Sequence, residues 1–264
     1  MGSTLQSLWN YRGFIFGSVK REFETKYQNS VLGAAWTIVN PMAMIMVYTI
    51  IFSQVMKARL PGAETQFAYS IYLCAGLLTW GLFTEIVTRG QNIFIENANF
   101  LKKISFPRLT LPVILVFNAC INFAIILSLF LIFLILSNNW PGWSLLYLVP
   151  LLVIQLLLAS GLGIVLGVLN VFFRDVGQFF GIFLQLWFWL TPIVYPSDIL
   201  PQAARNWMVL NPMFPLIRAY QSVFIGQGIA DWPSLCIPLV AGTVLCALGW
   251  RMFHNHSGEM VDEL

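Results

Sequence analysis

The chain has very little charge: of its 264 residues only 9% are Asp, Glu, Lys or Arg, while 58% are hydrophobic. Soluble domains run at about 25% charged and about 45–50% apolar. A water-soluble globule of this length needs a polar shell, and 14 Lys+Arg with 11 Asp+Glu cannot supply one over so much apolar side chain. A soluble enzyme is therefore excluded, and the bilayer is part of the solvent. Histidine is nearly missing. His254 and His256 are the only imidazoles, both in the C-terminal tail, without evident metal-ligand or triad partners. No G-x-x-x-x-G-K-S/T phosphate cradle is present, and no loop is large enough for a nucleotide-binding domain. With no catalytic constellation, uphill transport would have to draw on a partner or an ion. The four cysteines, Cys74, Cys120, Cys236 and Cys246, sit in apolar runs as small hydrophobes, so neither a disulfide framework nor a metal site is expected. A net charge of +3, dispersed as it is, does not make the clustered basic face of a nucleic-acid binder.

The charges that do occur define the spans by their gaps. Residues 27–56, 65–84, 109–173, 176–197 and 232–250 contain no ionisable Asp, Glu, Lys or Arg, and a spanning helix needs about 20 mostly apolar residues. The third gap is long enough for two crossings, with a turn signal at Ser137-Asn138-Asn139-Trp140-Pro141-Gly142. Six membrane helices are predicted, near 31–55, 66–86, 111–136, 145–170, 177–195 and 233–251. Both termini then share one side. If that side is cytoplasmic it holds ten of the basic residues, among them Arg12, Lys20, Arg21, Lys26, Arg89, Lys102, Lys103 and Arg108, and leaves Lys57, Arg59, Arg205 and Arg218 outside. The positive-inside bias favours this orientation. The first thirty residues lack the apolar core of a cleavable signal peptide.

Segment 196–231 is apolar but broken by Pro201, Pro212, Pro215, Arg205 and Arg218. Its uncharged stretches are too short to span, which predicts a re-entrant helical pair, with a loose outer loop as the alternative. Residues 1–30 are expected to form a cytoplasmic unit whose Phe16, Val19, Phe23 and Tyr27, three and four apart, make the apolar stripe of an amphipathic interface helix. Residues 31–264 then make the membrane domain. Glu85 and Arg89, i,i+4, lie at the boundary of the second expected span and read as a helix-end anchor rather than a proton relay, which weighs against an ion-coupled transporter.

Aromatic residues recur at helical spacing inside the expected spans. Trp36, Asn40, Met44 and Tyr48 form one stripe; Tyr69, Tyr72, Gly76, Trp80 and Phe83 form a second; Phe180, Phe183 and Trp187 form a third. Flat rings stack against the CH faces of sugars while polar edges hydrogen-bond, so these stripes are candidates for a carbohydrate-conducting path. Lipid-facing or packing rings are the alternative.

Several phrases together resemble one family. Lys20-Arg21-Glu22-Phe23, Lys26-Tyr27, Leu32-Gly33-Ala34-Ala35-Trp36 and Asn40-Pro41 resemble the entry segment of type-2 ABC exporter membrane subunits. These are the permeases of O-antigen, group 2 capsule and teichoic-acid export. The stretch from Asn97 through Asn99, Lys102 and Lys103 to Arg108 is similar to the family's loop between spans two and three; Phe173-Arg174-Asp175 and Leu210-Asn211-Pro212-Met213 also match, in order, over nearly the whole chain. The resemblance implies a fold of six transmembrane helices in an all-α polytopic subunit, in the bacterial inner membrane, that works as a pair. Two copies of a cytoplasmic ABC ATPase, holding the ATP and magnesium, would drive it. Residues 10–28 and 97–108 would dock that ATPase through Lys20, Arg21, Lys26, Asn99, Lys102, Lys103 and Arg108. The cargo implied is polysaccharide on undecaprenyl diphosphate, passing aromatics such as Trp36, Tyr48, Tyr69, Tyr72, Trp80, Phe83, Phe180, Phe183 and Trp187. An exporter of drugs or lipids would share the fold. A membrane enzyme acting on polyprenyl-linked sugars would share the hydrophobicity but would need acidic residues or a metal at the membrane face, where only Asp175 is isolated.

Overall fold

The computed structural model describes residues 11–27, 33–55, 67–103, 110–197, 200–229 and 231–263, and among them there is no strand. The helices are α1 (Arg12–Tyr27), α2 (Trp36–Thr49), α3 (Ala68–Glu96), α4 (Ala98–Lys103), α5 (Thr110–Leu136), α6 (Leu148–Phe172), α7 (Asp175–Leu190), α8 (Gln202–Met208), α9 (Met213–Phe224), α10 (Cys236–His256) and α11 (Glu259–Glu263). In hydrocarbon no water is available to the backbone, so helices that close their own hydrogen bonds are the natural unit. Four helical stretches are long and apolar enough to cross a bilayer: Ala68–Glu96, Thr110–Leu136, Gly142–Phe172 and Pro233–His256; Trp36–Phe52 is a shorter apolar helix. The α5–α6 turn falls where its sequence signal lies, with Asn138 (φ 58°) and Gly142 (φ 64°) in the left-handed conformation that Asn and Gly tolerate.

The bundle is built around α3 and α6. Lipid tails are as apolar as leucine, so membrane helices associate by close packing, and small residues allow the closest approach. A Cβ on Gly90 of α3 would come within 2.8 Å of the Gly163 Cα of α6. Across the other face of α6, a Cβ on Gly242 of α10 would meet the Leu158 backbone N at 2.8 Å, and one on Gly161 would meet the Cys246 N at 2.7 Å. Polar groups inside this core bond to the backbone. Gln155 Nε2 donates to the Thr79 carbonyl (2.7 Å), and Asn170 Nδ2 donates to the Gln91 carbonyl (2.9 Å) while its Oδ1 accepts from Gly177 N (3.0 Å).

Segment 196–231 is not a loose loop. Pro201 and Pro212 each precede a short helix, α8 and α9, as proline's fixed φ and missing N–H favour. Met213, Leu216, Ile217, Tyr220 and Val223 of α9 have no accessible surface, so α9 is part of the core, against α3 and α6.

Two boundaries differ from the sequence reading. The second expected span, 66–86, continues as α3 to Glu96, so Glu85 and Arg89 lie inside a helix and do not anchor its end. The fifth, 177–195, stops at Leu190, because Pro192 cannot continue it. At 1.5 Å per residue α7 is about 24 Å long, below the roughly 30 Å hydrocarbon thickness. The chain goes on through Thr191–Tyr195 as non-helical backbone, buried as far as Ile193 and half-buried beyond, whose carbonyls need partners. Side chains provide them: Tyr69 Oη donates to the Val194 carbonyl, Tyr72 Oη to that of Tyr195 (3.2 Å), and Gln221 Nε2 to that of Ile193 (3.4 Å).

Gly242→Leu is expected to force α10 off α6 and cost about 1–3 kcal/mol by overpacking, read as a lower thermal midpoint of the detergent-solubilised chain. Gly181→Ala, where an added Cβ meets nothing within 4 Å, should leave the midpoint unchanged or higher.

Candidate functional site

Two aromatic clusters emerge from the stripes. The first runs Tyr48, Phe52, Tyr69, Tyr72, with successive centroids 6.5, 5.2 and 6.2 Å apart. It bridges the C-terminal turns of α2 to the start of α3. The second joins α3 to α7: Trp187 lies 5.9 Å from Trp80 and 5.3 Å from Phe83, both near-perpendicular, and continues through Phe183 (5.4 Å) to Phe180 (5.1 Å). Edge-to-face contacts of this kind suit the ring quadrupole.

Burial divides the candidate path residues. Phe83 is 0% exposed and Trp80 8%, so these two rings pack inside the chain; spacing alone could not tell the inner face of α3 from the outer one. Tyr69 and Tyr72 are half-buried and hold the backbone that follows α7. Tyr48, Phe180 and Trp187 are also half-buried, whereas Trp36 is 47% and Phe183 37% exposed. Phe183 belongs to an uninterrupted apolar face of α7 with Phe179, Ile182, Leu186, Trp189 and Leu190, all exposed and uncharged.

Asn211, part of the Leu210-Asn211-Pro212-Met213 phrase, organises the end of this cluster. Its Oδ1 accepts from Trp187 Nε1 (2.9 Å) and from Met213 N at the start of α9 (3.0 Å); its Nδ2 donates to Thr191 Oγ1 (2.9 Å), which donates to the Trp187 carbonyl (2.7 Å). One carboxamide thus fixes the indole orientation, the exit from α7 and the entry to α9. The Asn-Pro pair signalled it in sequence, but its partners lie 20 and 24 residues away.

At the other end of α3 a charged network ties α1 to the bundle. Arg89 bonds Glu22 of α1 and lies 3.7 Å from Glu85; Asn118 donates to Glu22, and Asn122 to Glu85 (2.8 Å). Asn118 and Asn122, i,i+4 on the otherwise apolar α5, were the missed signal. α1 seats Ile15 and Val19 on Ile114, with the Phe16 ring edge-on to Phe117 at 5.7 Å. Its buried face therefore centres on Ile15 and Val19 rather than on Phe16, which stays exposed.

Of the expected docking residues, Lys20 and Arg21 on α1 and Asn99 and Lys102 on α4 are exposed. Lys20 lies 3.9 Å from Glu24. The side chains of Lys26 and Lys103, and Arg108 entirely, lie outside the described residues, as do those of Phe23 and Tyr27.

Four helices long and apolar enough to cross a bilayer, packed round a buried proline-led helix, make this a multi-pass membrane protein. The chain belongs to the ABC-2 type transporter family, whose pattern matches residues 14–225. It is 30% identical over 262 residues, 98% of each chain, to the O-antigen export system permease protein RfbA of Myxococcus xanthus. It is likewise 30% identical over 236 residues to a protein of that name from Klebsiella pneumoniae, covering 89% of this chain and 88% of the relative. The polysialic acid transport protein KpsM of Escherichia coli is 21% identical over 242 residues, 91% of this chain and 92% of the relative.

Two outcomes follow from the geometry. Asn211→Ala should strand the half-buried Trp187 N–H and cost about 1 kcal/mol, seen as a lowered thermal midpoint with altered tryptophan fluorescence. Arg89→Ala should release α1, so that trypsin cuts after Lys20 and Arg21 faster than in the wild type, and the swap of Glu22→Arg with Arg89→Glu should restore protection.

Proposed function

We propose that this chain is the membrane half of an ATP-driven exporter of lipid-linked polysaccharide, O-antigen in kind. Two copies enclose the path in the bacterial inner membrane, with both termini cytoplasmic. α2, α3, α5, α6, α7 and α10 make six crossings, and α8 and α9 form the re-entrant pair at the outer side. The observation that carries this reading is the likeness, over 98% of its length, to a permease named for O-antigen export. The geometry supports it: beyond Asp175 in its first turn, the exposed face of α7 from Phe179 to Leu190 carries large rings and no charge, which suits weak, sequence-tolerant stacking against sugar units.

Two copies of a separate ABC ATPase, holding ATP and magnesium, dock on α1 and on the segment from α4 through Arg108. Basic Lys20, Lys102 and Lys103 suit acidic partner surfaces. Movement of α1 reaches α3 through the Glu22–Arg89 pair and α5 through Asn118, so closure of the ATPase is passed to the spans by contacts that differ between two states. The undecaprenyl diphosphate anchor stays with the lipid while the polymer moves along the α7 face and Trp36.

Deletion of the gene should abolish surface polymer and trap the lipid-linked polymer inside; normal surface polymer would reject export. Phe183→Ala and Trp36→Ala should reduce surface long-chain polymer several-fold with ATPase co-purification intact. Charge reversal at Lys102 and Lys103 should do the opposite, weakening co-purification first.

A further inference from the structure

Between α1 and the cytoplasmic-side ends of α3 and α5 lies a cavity of about 390 Å³, within the size range of small-ligand sites. Its lining has two parts. Arg21, Glu22, Arg89 and Glu96 contribute two positive and two negative charges, and Ile93, Leu111 and Leu115 form an apolar floor. Glu22 and Arg89 engage each other. Glu96 acts on Arg89 at longer range but makes no ion-pair contact, nor does Arg21, among the described residues, so one cation from α1 and one anion from α3 face the same space.

From this lining we infer a binding site for one zwitterionic aminophospholipid, a phosphatidylethanolamine. The guanidinium of Arg21 suits the phosphate, and the carboxylate of Glu96 suits a primary ammonium, whose N–H groups can donate to it. The floor takes the first methylenes of a chain that continues along α3 and α5 into the hydrocarbon. Because the lining has no net charge, an anionic head gains little: Glu22 and Glu96 repel it as much as the arginines attract it. A quaternary ammonium lacks the N–H donors that Glu96 would accept. Soluble zwitterions would leave the floor unfilled. Arg21, expected in docking, is in this site part of the lipid seat, and the lipid becomes a wedge that sets the height of α1 against the bundle.

This inference rests on the reading that α1 lies at the cytoplasmic membrane face, but the two can fail separately. Protease access to α1 in sealed inside-out vesicles tests the orientation; lipid selectivity is read without reference to sidedness. The full chain, alone and as the co-purified complex, is extracted in mild detergent and offered equimolar phosphatidylethanolamine, phosphatidylcholine and phosphatidylglycerol, and retained lipid is measured by native mass spectrometry. Phosphatidylethanolamine should be retained about tenfold over either competitor, the worth of one charge-assisted hydrogen bond. Glu96→Lys should turn the preference to phosphatidylglycerol, a reversal that mere loosening of the fold would not produce. Ser18→Trp, which fills the cavity from α1, should lower retention of all three. Equal retention of the three lipids by the wild type, an unchanged preference in Glu96→Lys, or displacement of phosphatidylethanolamine by a prenyl diphosphate lipid at equal concentration would overturn the site.

Discussion

In a bilayer the backbone has no water to turn to, so every N–H and C=O that leaves a helix needs a partner from the protein itself. In this chain the constraint bears hardest on Thr191–Tyr195. α7 is shorter than a bilayer's hydrocarbon core, and Pro192 forces the chain out of helix. Tyr69 and Tyr72 from the start of α3, and Gln221 from α9, cover the freed carbonyls. Asn211 closes the same knot from the far side, through Trp187 and Thr191. The burial of α9, the orientation of the Trp187 indole and the direction of the exposed α7 face all follow from how that short stretch is satisfied.

The helices themselves are held by contact rather than by hydrophobic exclusion. Gly90 against Gly163, and Gly161 and Gly242 between α6 and α10, bring backbones together at distances no side chain allows. Such packing joins α3, α6, α9 and α10 into one closely packed bundle. α1, α2 and α7 lie outside it. They carry the exposed rings Trp36 and Phe183, the α1 side of the polar tie and one wall of the cavity under α1. The Glu22–Arg89–Glu85 network is a charged link between α1 and that bundle, and its partial exposure keeps it exchangeable.

Much of this was legible in the residues. Charge-free runs marked the helices, the Asn138–Gly142 turn separated α5 from α6, and the proline-broken 196–231 segment announced helices too short to cross. Family membership was legible as an ordered set of short phrases. What failed was facing. Trp80 and Phe83 share a stripe with Tyr72, yet are buried; Glu85 and Arg89 looked terminal, yet sit within α3; Phe16 was expected beside Val19 in the α1 stripe, yet it stays exposed and Ile15 joins Val19 instead.

The reason is a difference in what each level of description can encode. Composition and the spacing of charges determine which segments prefer lipid to water, because that preference is a sum over side chains and needs no neighbour. Helix type and approximate bounds follow from it, since lipid leaves the backbone no other regular choice. Which side of a helix meets a partner is a pairwise property, set by glycines 73 residues apart or by an Asn that finds an indole across a turn. Only the tertiary structure decided that Tyr69 and Tyr72 hold backbone while Phe183 faces outward, and only it brought Arg21 and Glu96, 75 positions apart in the chain, to one cavity.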